Sequence, residues 1–252
     1  MPLIAIADGA LFAERFGSGP PAVLALHGWG RRGADFAASL GGFDALALDL
    51  PGFGASAAPP AVVGAAGYAD LIAPALEMFD RPPVVVGHSF GGRVAVARQA
   101  AHPGSFSGMV LVGSPLVRGE GPRRRPPLGY RLVRLGHRLG VISDERLEAE
   151  KRRRGSADYR AASGVMRDIL VTVVNESYEQ ELGRIGGPVR LLWGADDTEV
   201  PVSVAQSAVG LLARGGAAVE LEVLTGVGHH VPLTAPEALA TSVGALLSEA
   251  AP

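Results

Sequence analysis

PVVVGHSFGGRVAVARQAA, residues 83–101, is the stretch whose reading decides the fold. Three consecutive valines lead into a glycine-framed serine, and a run with helical character follows. Residues 87–91 read Gly-His-Ser-Phe-Gly, the pattern G-x-S-x-G. Five positions match by chance often enough; the flanks give this match its meaning. A strand that passes directly into a helix with a serine at the apex is what a nucleophile elbow requires. Such a turn forces the serine to an unfavourable backbone angle, and Gly87 and Gly91 remove Cβ atoms that would collide there. The next helix points its first amides and its dipole at the same place, where negative charge is favoured. Ser89 is therefore the candidate nucleophile, weighed against the plainer reading of a surface serine in a glycine-rich turn.

Outward from this stretch the strand–helix rhythm repeats. Strand candidates lie at 22–26, 45–48, 84–86, 109–112, 190–193 and 219–224, with helical candidates at 33–40, 68–79, 91–101, 202–213 and 235–247. Within 68–79, Leu71, Ile72, Ala75, Leu76 and Phe79 recur at helical intervals and predict one helix with a single buried stripe. Alternation of this kind implies βαβ units and a parallel sheet with helices on both faces. The rhythm fails between about Pro115 and Gly187. That segment opens with VRGEGPRRRPPLGY at 117–130, offers helical candidates at 131–139, 144–154 and 162–175, and closes at RIGGP, 184–188. The expected organisation is a core of residues 1–114 and 187–252 interrupted by a helical insertion, 115–186.

Composition removes whole classes of function. No cysteine is present, which excludes disulfides, thiolate nucleophiles and cysteine metal sites together. A net charge of −2 and a pI near 6.3 argue against a nucleic-acid partner held by general surface charge. The first residues lack the basic and long apolar regions of a signal peptide, and no apolar run reaches the ~18 residues of a membrane helix. The expectation is a cytoplasmic protein with no membrane partner. Charge is nevertheless uneven: between Arg118 and Arg160 there are 13 Lys+Arg against 6 Asp+Glu. That segment could draw an anionic or carrier-bound substrate, although solvated helix faces account for such runs as well. No phosphate-cradling G-x-x-x-x-G-K-[ST] and no H-E-x-x-H occurs, so no cofactor or metal is expected.

A serine hydroxyl needs a base, an orienting acid and a place for the oxyanion. One oxyanion donor in an elbow is the amide after the serine, here Phe90; the other comes from the loop after an earlier strand, and His27-Gly28-Trp29-Gly30 follows 22–26, which points to the amide of Trp29. His27 reads as a brace for that loop. Of six histidines, His88 is inside the elbow, His102 ends a helix and His137 lies in the insertion, leaving His229 and His230 in TGVGHHVPLTAPEAL at 225–239. His229 is preferred because it follows Gly228 in a G-x-G-H turn. The strand-to-turn segment PVRLLWGADDTEVP, 188–201, offers Asp196, Asp197 and Glu199 as the acid. The order along the chain is then Ser, Asp, His.

Taken together, LHGWG, DLPGFGAS, VVGHSFGG, LLWGADDTEVP and GVGHHVPLTAPEAL resemble the α/β-hydrolase family along most of the chain. The resemblance implies a mostly parallel eight-stranded sheet flanked by helices, with the insertion as a helical cap. The family's W-G-x-x-D-x-x-x-P falls on Asp197 and its G-x-G-H on His229. Serine at the elbow separates this chain from the family's haloalkane dehalogenases and epoxide hydrolases, which carry Asp there. The capped architecture is similar to small carboxylesterases, including the type that cleaves a methyl ester from an acyl-carrier-protein conjugate. The expected activity is hydrolysis of a small-molecule ester or thioester through an acyl-enzyme. Carbon–carbon hydrolysis of the meta-cleavage type uses the same triad and ranks second, because HGWGRRG lacks the proline of the usual H-G-x-G-P-G loop. A non-catalytic binder on the same fold ranks third.

Overall fold

The aliphatic runs pair into one sheet. In the computed structural model, which describes residues 2–118, 135, 137–139, 141–154 and 156–249, its strands are β1 (Leu3–Ile6), β2 (Leu11–Phe16), β3 (Val23–Leu26), β4 (Ala45–Asp49), β5 (Val84–His88), β6 (Gly108–Val112), β7 (Gly187–Gly194) and β8 (Ala217–Leu224). Their spatial order is β1-β2-β4-β3-β5-β6-β7-β8. The pairs from β4–β3 through β7–β8 are parallel, whereas β1–β2 and β2–β4 are antiparallel. Every residue of β3 to β6 is buried, as uninterrupted aliphatic strands covered on both faces must be.

The helices are α1 (Ala37–Leu40), α2 (Ala65–Leu71), α3 (Ala73–Leu76), α4 (Phe90–Ala101), α5 (Asp144–Arg154), α6 (Ala157–Ala161), α7 (Gly164–Val173), α8 (Glu179–Leu182), α9 (Val202–Arg214), α10 (Val231–Thr234) and α11 (Pro236–Glu249). One core joins the sheet to α2, α4 and α9 through Tyr68, Val94 and Leu212. The other joins it to α1 and α11 through Leu40, Leu239 and Val243. Helices α5 to α8 lie between β6 and β7, where the strand rhythm lapses. The candidate helix at 131–139 falls mostly outside the described residues, as does the arginine trio at 123–125. Among the described residues no helix is long and apolar enough to cross a membrane.

Two local expectations are corrected. The single stripe at 68–79 is two short helices, α2 and α3, that meet at Ile72. Pro74 explains the break: it has no amide to donate back along the helix, and its ring crowds the carbonyl four residues earlier. Its place in the first turn of α3 is the one a helix tolerates. Residues 3–16, to which the strand pattern assigns nothing, form the antiparallel edge. Their tight turn runs through Ala7, Asp8 and Gly9, all with positive φ (52°, 54° and 86°). Asp8-Gly9 is a dipeptide that favours such hairpin turns, a signal the strand pattern above passes over; only Ala7 is unusual in this backbone region.

Candidate active site

β5 delivers its last residue, His88, directly to Ser89, and α4 begins at the next position. Ser89 sits at φ 50°, ψ −110°, a strained conformation for a residue with a Cβ. Its amide donates to the Val112 carbonyl at 2.8 Å, tying the apex to β6. A Cβ on Gly87 would lie 2.6 Å from the Gly92 Cα, and one on Gly91 would drive into the Leu26 carbonyl. The turn therefore closes only with glycine on either side. Ser89 remains partly exposed, and because Phe90 opens α4, its amide has no carbonyl partner within the helix.

The loop after β3 comes against this apex. A Cβ on Gly28 would lie 3.0 Å from His88 Nδ1 and 3.3 Å from Ser89 Cβ. Trp29 stacks edge-on against Phe90 with ring centroids 5.4 Å apart, so the two expected amide donors belong to neighbouring residues in space. His27 holds the loop from beneath: its Nδ1–H donates to the Gly28 carbonyl at 2.7 Å, and its Nε2 accepts the Leu50 amide at 2.9 Å. Burial pulls the pKa of His27 down to about 4, which keeps the imidazole neutral for these two roles.

Asp197 and His229 meet across the ends of β7 and β8. His229 Nδ1–H donates to Asp197 Oδ2 at 2.8 Å, with both side chains almost wholly buried. The other carboxylate oxygen accepts the amides of Glu199 at 2.9 Å and Val200 at 2.8 Å. Burial disfavours the charged carboxylate, but the His229 and Val200 hydrogen bonds outweigh it and hold the pKa below the ordinary range. Asp196 and His230 are both exposed. An imidazole oriented through Nδ1 in this way leaves Nε2 to take and return a proton; in the resting arrangement that nitrogen stands 3.7 Å from Glu199 Oε2.

Three neighbours escape sequence reasoning. His88 Nε2–H donates to the His229 backbone carbonyl at 3.0 Å, linking the elbow to the histidine loop across 141 positions. Burial, helped by the charge of His229, pulls the His88 pKa down to about 3. Gly113, at φ 51°, ends β6 where a Cβ would lie 3.2 Å from His229 Nδ1 and 3.3 Å from Asp197 Oδ2. The third is Asp158 on α6. Partial desolvation and then the charge of Glu199 raise its pKa, while His229 and His230 act against the rise, so this carboxylate stands in the field of the candidate base. A strand-end glycine and one acid among six in a basic segment carry no distinguishing pattern of their own.

A family model described as "Alpha/beta hydrolase family" matches residues 23–242. The pimeloyl-[acyl-carrier protein] methyl ester esterase of Chromobacterium violaceum is 41% identical over 108 residues, which cover 41% of this chain and 41% of that protein. The chain thus spans under half the length of that curated relative. The 2-hydroxy-6-oxononadienedioate/2-hydroxy-6-oxononatrienedioate hydrolase of Cupriavidus pinatubonensis is 27% identical over 223 residues, 75% of this chain and 74% of that one. Among solved structures, an esterase from Exiguobacterium antarcticum superposes with a TM-score of 0.71 at 19% identity, covering 98% of both chains, a likeness of fold.

Proposed function

The chain belongs to the α/β-hydrolase family, and on that premise we propose that it is a serine hydrolase cleaving a carboxylic ester or thioester through an acyl-enzyme on Ser89. His229 Nε2 takes the Ser89 proton as Oγ bonds to the substrate carbonyl carbon, and Asp197 holds the imidazole and the charge it gains. The amides of Phe90 and Trp29 receive the oxyanion. Collapse of the tetrahedral intermediate breaks the bond to the leaving oxygen or sulfur, which departs with the proton held by His229. Water then repeats the sequence: it loses a proton to His229, adds to the acyl carbon and releases the acid as Ser89 Oγ regains a proton.

The observation that supports this reading is the Ser89 backbone at φ 50°, ψ −110°, with the neighbouring His88 bonded at 3.0 Å to the loop that carries the buried imidazole–carboxylate pair. Strain at a strand-to-helix apex is what a nucleophile elbow requires. Reaction with a fluorophosphonate tests it. The parent is expected to be labelled and Ser89→Ala to remain unlabelled; equal labelling of the two removes Ser89 from the mechanism.

Residues 115–186 serve in this reading as a cap, whose net positive charge suits an anionic acyl group or an acidic carrier. The relative from Chromobacterium violaceum, which is named for an acyl-carrier-protein ester, supports that choice. Hydrolysis of a carbon–carbon bond is the second reading, favoured by the longer match to the dienedioate hydrolase. Turnover of nitrophenyl esters supports the first, and cleavage of a coloured dienoate in the absence of esterase activity supports the second.

A further inference from the structure

Arg93 lies one helical turn beyond Ser89 on α4 and is only 8% exposed. A buried guanidinium is costly unless its donors are satisfied. Its Nε–H donates to the Pro115 carbonyl at 3.0 Å, and its Nη1–H donates to the carbonyl of Val173. These acceptors have a common meaning in the topology: Pro115 stands where the chain leaves β6 for the insertion, and Val173 closes α7 on the way back. The same guanidinium lies 5.8 Å from the centre of the Tyr178 ring.

Tyr178 extends the connection. Its amide donates to the Leu116 carbonyl at 3.0 Å, which ties the outgoing segment to the returning one. Its hydroxyl donates to Glu176 Oε2 at 2.5 Å, and that oxygen accepts the Ala65 amide at 3.1 Å. One polar network therefore runs from the nucleophile's helix through both stems of the insertion to the start of α2. Helix α7 also reaches the site: a Cβ on Gly52 would strike the Met166 side chain, and Met166 Sδ lies 3.9 Å from the Tyr68 hydroxyl. Tyr68 in turn packs edge-on against Phe90 at 4.9 Å. A displacement of α7 is thus a displacement of the wall beside the expected oxyanion donor.

A well-packed apolar side chain often serves the stability of a core as well as a buried charge does. What an apolar residue cannot do is fix two carbonyls on separate segments at set distances from one helix. We infer that Arg93 is a positioning residue that registers the insertion against the helix of the nucleophile, and so governs how tightly the remote acyl portion of the substrate is held. This inference rests on Ser89 being the nucleophile.

The test compares the parent with Arg93→Lys as full-length proteins on the acetyl and octanoyl esters of nitrophenol. Lysine keeps the charge but lacks the planar fork that reaches both carbonyls. The expected result is a loss of about tenfold or more in kcat/KM for the octanoyl ester, carried mainly by KM. The acetyl ester should fall by less than about threefold. Equal losses for the two esters would make Arg93 a support of the elbow alone, and no loss for either would remove it from substrate handling; both overturn the inference. If Arg93→Lys does not fold, Tyr178→Phe is read by the same split, since it keeps the ring and removes the bond to Glu176. Fluorophosphonate labelling of the parent reports separately on the nucleophile: an unlabelled parent defeats the reading of Ser89, whereas a labelled parent with an unchanged chain-length profile in the variant defeats only the role of Arg93.

Discussion

Polar groups at the carboxyl ends of β3, β5, β7 and β8 and polar groups in the insertion are treated in opposite ways. At the strand ends, His27, His88, Asp197 and His229 are buried and bound to fixed partners, several of them backbone groups far away in sequence. In α5 and the residues before it, Arg153 pairs with Glu150 three positions away and His137 with Asp144, on exposed surface. Breaking a buried hydrogen bond leaves its partner stranded at a cost of about 1–3 kcal/mol. Exposed pairs contribute roughly 0–1 kcal/mol and weaken with salt. Arg93 belongs with the first group although its acceptors include the stems of the insertion. The lesson is that the geometry of this protein is specified where charge is scarce and buried; where charge is plentiful it acts through its long-range field.

Removing the proposed base is expected to give the largest effect. His229→Ala should lower kcat by roughly four or more orders of magnitude, because members of a triad act as one unit. His230→Ala, one position away but exposed, should retain substantial activity. Measured kcat values in which the two variants fall alike would deny that burial separates them. Asp197→Asn comes next, with an expected loss of about 10³- to 10⁴-fold from a mis-set imidazole tautomer, against a far smaller loss for Asp196→Asn. The opposite ranking in the same assay would move the acid to Asp196.

The buried histidines also set a pH dependence of stability. In the unfolded chain His27 and His88 titrate near the ordinary value of about 6.5, whereas in the fold burial lowers them to about 4 and about 3. Between the unfolded and folded values the unfolded chain binds more protons, so stability falls as the pH drops through that window. Each histidine contributes a slope of up to about 1.4 kcal/mol per pH unit. Asp197, held below the ordinary carboxylate range, adds its loss from the unfolded value of about 3.9 downward. Thermal unfolding from pH 7 to pH 4.5 should therefore show a falling Tm, and His88→Gln, which keeps a donor for the His229 carbonyl, should remove about half of the slope. An unchanged slope would mean that His88 titrates no differently in the fold.

Legibility in the sequence follows the same division. The elbow is readable because strand, glycine, serine and helix are contiguous, so the geometry of Ser89 is encoded within a dozen residues. The loops expected to carry acid and base are readable as types: the acidic turn offers three carboxylates and only the family resemblance points to Asp197, the G-x-G-H turn favours His229, and the fold brings these two to 2.8 Å. Arg93 and Gly113 are not readable, because their partners lie on other segments and an arginine in a helix ordinarily means a solvated face. The break at Pro74 was legible in principle; the apolar period across it was the stronger pattern and the wrong one to follow.

Long-range charge gives the smallest expected effect and the finest test of the contrast. The segment from Arg118 to Arg160 carries 13 Lys+Arg against 6 Asp+Glu, and one of those six, Asp158, stands with Glu199 in the field of His229. A net positive segment would attract an anionic ester from a distance, whereas the two carboxylates in the surroundings of His229 would repel it at close range. Salt separates the two scales, because the screening length shrinks from about 10 Å at 0.1 M to about 3 Å at 1 M. For an anionic ester, kcat/KM is expected to fall a few-fold over that range while a neutral ester of equal size changes little. Arg123→Ser, Arg124→Ser and Arg125→Ser together should reproduce the selective loss at low salt. Asp158→Asn should have the opposite sign, raising kcat/KM for the anionic ester about twofold. Equal salt responses for the two esters would disconnect the basic segment from substrate capture. A rise with salt for the anionic ester would assign the governing field to Asp158 and Glu199, and with it a preference for neutral or cationic substrates.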